Sequence, residues 1–244
     1  MELFDSSRQG LDFIFRYGHV VSGVAWIGLL WFFNFVQTPA YAELSDGARS
    51  EALRKLTLRA LWWFRWAAMS TFLFGLALVF VKENLGDYFE TGTGYAITTG
   101  MLFGVTMFLN VWFVIWPNQK VVIASAEAVA GGGSANPEAP AAAKAAGRAS
   151  RCNTFFSATM LWFMIYAVHH PGAQRAEDLT NKGVYMAILL ILWLFIELNA
   201  IGKLGGYDSA FNKLVFDKHR NTMVAGFGLL AFVYIALYEL MLLN

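Results

Sequence analysis

A single cysteine, Cys152, in 244 residues removes several chemistries at once. No disulfide can close within the chain, no C-x-x-C-H motif can attach a c-type haem, and no thiolate cluster can hold zinc or iron–sulfur. Charge is scarce as well. Asp, Glu, Lys and Arg are 14% of the residues, against about a quarter in an ordinary soluble domain. A net charge of +1 offers no electrostatic basis for binding nucleic acid. The N-terminal stretch MELFDSSRQG lacks the basic region of a cleavable signal peptide, so the first apolar segment is expected to stay as a span.

What the chain has is apolar length. Hydrophobic residues make up 57% and aromatic residues 16%, with a mean hydropathy of +0.49. Crossing a hydrocarbon core of about 30 Å takes roughly 20 helical residues. Six segments are long enough: 13–37, 62–81, 96–123, 152–170, 183–201 and 221–243. The expected fold is an all-α, polytopic membrane helix bundle of about six transmembrane helices, forming one integral membrane domain over 1–244. Thr38-Pro39 closes the first span. Residues 41–61 carry Arg49, Arg54, Lys55 and Arg59 among Ala and Leu, and read as an amphipathic helix on the membrane surface. Trp62, Trp63 and Trp66 around Arg65 make an aromatic belt with a basic anchor. Gly100 and Gly104 form a small-xxx-small face for a close helix neighbour. Residues 126–150, rich in Gly, Ala and Pro, read as a flexible loop with a short Ala-rich helix near Ala141.

Orientation follows from the basic residues of the short loops. With six spans, the N-terminal side holds Arg8, Arg16, Lys82, Arg175 and Lys182, and the other thirteen Lys and Arg lie on the opposite side. The basic side is expected to be cytoplasmic. The protein is then a multi-pass protein of a bacterial inner membrane, with both termini in the periplasm.

The chain has four histidines, and two of them fall at the same depth. His19 lies about two turns into span one. His169 lies 17 residues beyond Cys152, which is roughly 26 Å across the membrane at 1.5 Å per residue. Both come to the periplasmic side. An ionisable side chain inside a span is costly unless paired or ligated. Two imidazoles at one level suit the axial positions of one haem b iron. Arg16, one turn from His19, suits a haem propionate. Gly23, one turn the other way, leaves room for a flat macrocycle. Tyr166 and Trp162, with Phe163 beside them, supply an aromatic wall near His169. The competing reading of each histidine is an interfacial hydrogen-bonding residue, and His170 rivals His169 because sequence does not set the rotation of span four. His219 lies on the other side, beside Arg220. Glu197 in span five is either a proton-relay carboxylate or a structural partner of Arg65, and Asn34 and Asn110 read as interhelical hydrogen bonders.

Four segments carry a family resemblance: RYGHVVSGVAWIGLLWFFNF from Arg16, WWFRWAAMSTFLFGLALV from Trp62, GMLFGVTMFLNVWFVIWPNQKVV from Gly100 and SRCNTFFSATMLWFMIYAVHHP from Ser150. Together they resemble the membrane domain of the bacterial membrane-anchored urate oxidase (urate hydroxylase) family over roughly residues 13–171. The family's histidines in its first and fourth spans fall on His19 and His169. Its members carry a C-terminal cytochrome c domain, which implies that electrons leave through haem. Here any cytochrome c is expected to be a separate subunit. The family pattern has His where Cys152 stands and Glu where Ala67 stands. The resulting expectation is a haem-b-binding electron-transfer subunit working with a periplasmic cytochrome c and other membrane subunits, as part of a respiratory complex. The alternatives are a membrane urate or purine dehydrogenase using a separate cytochrome c, and a non-catalytic accessory subunit.

Overall fold

The computed structural model describes residues 8–82, 84–175 and 179–243; most of the N-terminal polar stretch and part of the 173–182 loop lie outside the described residues. Among the described residues there are nine helices and no strand: α1 Gln9–Glu43, α2 Asp46–Val81, α3 Leu85–Phe89, α4 Gly92–Ala130, α5 Ala139–His169, α6 Pro171–Arg175, α7 Lys182–Ala200, α8 Ala210–Phe216 and α9 His219–Leu242. Five of them, α1, α2, α4, α7 and α9, are long and apolar enough to cross a membrane. Large apolar side chains such as Phe13, Val24, Phe80, Phe113, Ile191 and Leu240 stand exposed on them. An apolar surface on this scale fits lipid as its solvent and not water.

The sixth expected span, on α5, is not among those five. Asn153, Thr154, Ser157 and Thr159 lower its hydropathy, and all four are buried in protein. Asn153 Nδ2 donates to Met107 O at 2.9 Å and Ser157 Oγ to Thr154 O at 2.7 Å. A 31-residue helix whose polar groups face neighbouring helices loses the simple apolar signature without losing the length to cross.

The prolines do not end helices as expected. Before Pro39 the backbone widens into a π segment, Phe32–Gln37, and Thr38 donates both its backbone N–H and its hydroxyl (2.7 Å) to Phe33 O. Before Pro117 a second π segment, Asn110–Ile115, does the same through Trp116 N–H to Val111 O. Each π turn re-registers the hydrogen bonds where proline withdraws a donor. Span one therefore runs on to Glu43. Residues 41–61, expected as one amphipathic helix, are divided by a turn at Leu44–Ser45, and from Asp46 they continue without a break into span two. Ser45 Oγ caps the new helix and Arg49 Nε donates back to Tyr41 O at 2.7 Å. Likewise the expected flexible 126–150 loop shrinks to about 131–138, because its Ala-rich part is the first two turns of α5.

The chain forms two compact units, residues 1–83 with 108–146 and residues 84–107 with 147–244. In the first, α1 packs along α2. Trp26, Ile27, Leu30 and Phe33 bury against Leu61, Phe64 and Ala68, with Phe33 edge-on to Phe64 at 5.3 Å. Arg65 lies 4.0 Å over Trp116 and 5.2 Å from Trp112, so the cation is sheltered by rings. In the second unit α5 is enclosed by α4, α7 and α9. Gly100 and Gly104 face Met164 and Met160, the close contact that their spacing called for. Tyr185 hydroxyl meets Thr99 Oγ1 at 2.6 Å, and Trp193 Nε1 donates to Thr106 Oγ1 at 2.8 Å.

Candidate functional site

His19 is seated by α2, within the first unit. Its Nδ1 lies 2.8 Å from the carbonyl oxygen of Thr71, which can only accept, so Nδ1 carries the proton. The remaining nitrogen, Nε2, then holds the lone pair. A glycine makes this seat. A Cβ on Gly75 would lie 3.0 Å from His19 Cε1 and 3.1 Å from Nδ1. One turn on, Thr71 Oγ1 donates to Ser22 Oγ at 3.1 Å, and one turn back a Cβ on Gly18 would fall 2.6 Å from the ring of Phe74. Small residues alternate along both helices, and the backbones approach closely enough for an imidazole to reach a helix carbonyl. An orienting carbonyl on one nitrogen is the arrangement that metal-ligating histidines commonly have.

Arg16 is engaged by Asp12. Its Nε and Nη2 donate to the carboxylate at 2.7–3.1 Å, and Lys82 Nζ lies 3.9 Å from the same group. Gly23 faces α2: a Cβ there would lie 3.8 Å from Thr71 Cγ2, an ordinary contact. Its smallness serves helix approach at that point.

The second unit places His169 at the last residue of α5, exposed, with His170 following it, also exposed. Tyr166 sides with His170. The two rings stack at 4.5 Å and 14°, and His170 Nδ1 accepts from Gly172 N–H at 3.1 Å. Tyr166 hydroxyl donates to Glu239 Oε1 at 3.0 Å, and its ring packs against Tyr234 and Tyr238 at 5.2 and 5.3 Å. Tyr234 also meets Trp162 at 4.9 Å. The aromatic wall expected on span four exists, and it is shared with α9.

Near the other end of α5, Cys152 is fully buried and its thiol donates to Glu197 Oε2 at 3.5 Å. Glu197 therefore has a partner on α5, while Arg65 sits among tryptophans in the first unit. Asn34 Nδ2 donates to Leu30 O on its own helix at 2.9 Å. Among the described residues no group of three or more His, Cys, Asp or Glu could hold a metal ion, so a metal here would have to be a haem iron with one or two protein ligands.

Sequence reading missed Thr71 and Gly75, the seat of His19. The available signal was the Thr-x-x-x-Gly spacing in span two, which marks a face open to close approach. The Asp12–Arg16 pair was also legible, as opposite charges four residues apart on a helix.

Residues 86–199 match the family described as urate oxidase N-terminal. The matched stretch runs from α3 to the penultimate residue of α7 and holds Tyr166, His169, His170, Cys152 and Glu197. His19, Arg16, Gly23 and Ala67 precede it. No curated protein and no solved structure matches the chain.

Proposed function

We propose, on the premise that residues 86–199 are of urate oxidase N-terminal type, that the chain is a membrane subunit holding one haem b between His19 and His169 and passing electrons to or from a periplasmic cytochrome c or a larger respiratory complex. The observation that carries this reading is the fixed tautomer of His19. Thr71 O takes the Nδ1 proton at 2.8 Å, so Nε2 presents a lone pair without a prior protonation change. A merely interfacial histidine needs no such seat. His169 supplies the second imidazole from the matched region. Arg16, anchored to Asp12 through Nε and Nη2, keeps Nη1 for a propionate. Bound haem supplies one-electron chemistry, and two axial imidazoles leave no position for O₂. The basic-side rule puts this site at the periplasmic face of a bacterial inner membrane.

The experiment is a reduced-minus-oxidised spectrum with pyridine haemochrome on detergent-purified protein, beside His19→Ala and His169→Ala. A b-type signal in the wild type that is lost in both variants is expected. A signal that survives His169→Ala and falls in His170→Ala moves the second ligand by one residue. No haem in the wild type overturns the reading and leaves an accessory subunit.

A second reading, a membrane urate or purine dehydrogenase that passes its electrons to a separate cytochrome c, is favoured by the family description itself. The buried Cys152–Glu197 pair supplies the carboxylate such chemistry needs as a base, although Cys152 and Ala67 replace the two polar residues of the family pattern. Urate-dependent reduction of added cytochrome c by membranes containing the protein tests it. Its absence in membranes that hold the haem-loaded protein rejects it.

A further inference from the structure

On the outer face of the second unit a groove of about 270 Å³ runs between α7, α8 and α9. Phe195 and Ile196 of α7, Val215 of α8, and Ala225, Gly228 and Phe232 of α9 line it. Phe195, Gly228 and Phe232 are exposed, so the groove opens outward. A Cβ on Gly228 would meet nothing within 4 Å, whereas one on Gly226, two residues earlier, would strike Phe155 O at 2.8 Å. Gly226 is needed for packing; Gly228 leaves space that no packing demands.

Depth and charge identify what fills that space. Ala225 lies 6 residues and Phe232 13 residues beyond His219, the start of α9, which is about 9 to 20 Å along the helix. That is the depth of an acyl chain in one leaflet, whose hydrocarbon is roughly half of a 30 Å core. At the mouth stand Lys213 of α8 and Lys218 and Arg220 at the start of α9, all exposed. Among the described residues none of the three forms an ion pair. The neighbouring acid, Asp217, is already taken by Arg148, and Arg151 donates to the carbonyls of Phe216 and Asp217. Three free cations above an apolar slot match a phosphate above a hydrocarbon tail. A quinone ring fits less well, because no lining side chain carries a polar atom to hold it.

We propose that this groove binds an anionic phospholipid, with the phosphate at Lys213, Lys218 and Arg220 and one acyl chain laid against Gly228. The site is independent of the haem reading. It ties the α8–α9 turn, already clamped by Arg148 and Arg151, to the membrane on the basic side.

The test uses the full chain in mild detergent with phosphatidylglycerol or phosphatidylcholine of identical acyl chains, and counts retained lipid by native mass spectrometry. The wild type is expected to retain phosphatidylglycerol about tenfold over phosphatidylcholine, since each basic residue near a membrane adds about fivefold before screening. Lys213→Gln with Lys218→Gln and Arg220→Gln should bring phosphatidylglycerol down to the phosphatidylcholine level. Gly228→Leu fills the slot without a clash and should reduce both lipids. Equal retention of the two lipids by the wild type overturns the headgroup assignment. Undiminished retention by Gly228→Leu overturns the groove.

Discussion

A methyl group added at Gly75 reaches His19 before anything else, and its cost can be worked from two distances. The new Cβ would lie 3.0 Å from Cε1 and 3.1 Å from Nδ1, inside normal contact. The ring cannot retreat without stretching its 2.8 Å bond to Thr71 O. Overpacking of this kind costs about 1–3 kcal/mol. Replacing a helical glycine by alanine returns up to about 1 kcal/mol. Gly75→Ala is thus expected to destabilise by about 0–2 kcal/mol in the wild type. In a His19→Ala background the clash is gone and only the gain of up to about 1 kcal/mol remains. The coupling between the two positions is therefore about 1–3 kcal/mol, well above the 0.3–0.5 kcal/mol of independent sites. Cys152 gives the assay, because the only thiol in the chain is fully buried and labels with a maleimide dye only on unfolding. Midpoints compared at one scan rate serve even if unfolding is irreversible. Haem content, measured on the same samples, should fall in Gly75→Ala alone. An equal effect of Gly75→Ala in both backgrounds refutes the seating of His19 on Thr71.

Two further outcomes follow from close contacts in the second unit. Gly226→Ala should lower the dye-reported midpoint by the equivalent of about 1–3 kcal/mol, because its Cβ meets the backbone of Phe155, while Gly228→Ala should leave it unchanged or raise it; similar losses from both would show that α9 is not held against α5 at that point. Asp217→Asn removes the charged partner of Arg148, a side chain only 7% exposed, and should cost about 1.5–3 kcal/mol, with Arg148→Met alongside to recover part of the loss; no change in midpoint for Asp217→Asn would mean that the pair holds nothing together.

Much of the fold was legible because lipid imposes so few solutions. Backbone groups in hydrocarbon must be paired within the segment, so long apolar runs are helices and their count follows nearly from length. The Gly100–Gly104 face was legible for the same reason: two small residues one turn apart leave a groove for a neighbour. The prolines were not. Pro39 and Pro117 remove a donor each, and sequence alone cannot tell a stop from a π turn that re-routes the bonds. Span four illustrates the opposite difficulty. Its Asn, Ser and Thr look wrong for lipid until they are seen to face protein.

The candidate site divides the same way. Sequence by itself determined that this is a helical membrane chain, that its scarce histidines include one in the first span and two at the end of the fourth, and that Cys152 cannot build a thiolate centre. These follow from composition and rise per residue, which no packing alters. Only the tertiary structure decided which nitrogen of His19 carries the proton, because that depends on a carbonyl 52 residues away and on the missing Cβ of Gly75. It also turned Tyr166 toward His170 and Glu239, and bound Arg16 to Asp12. A helix periodicity offers i+3 and i+4 neighbours almost equally, and only the packing of a second helix chooses between them.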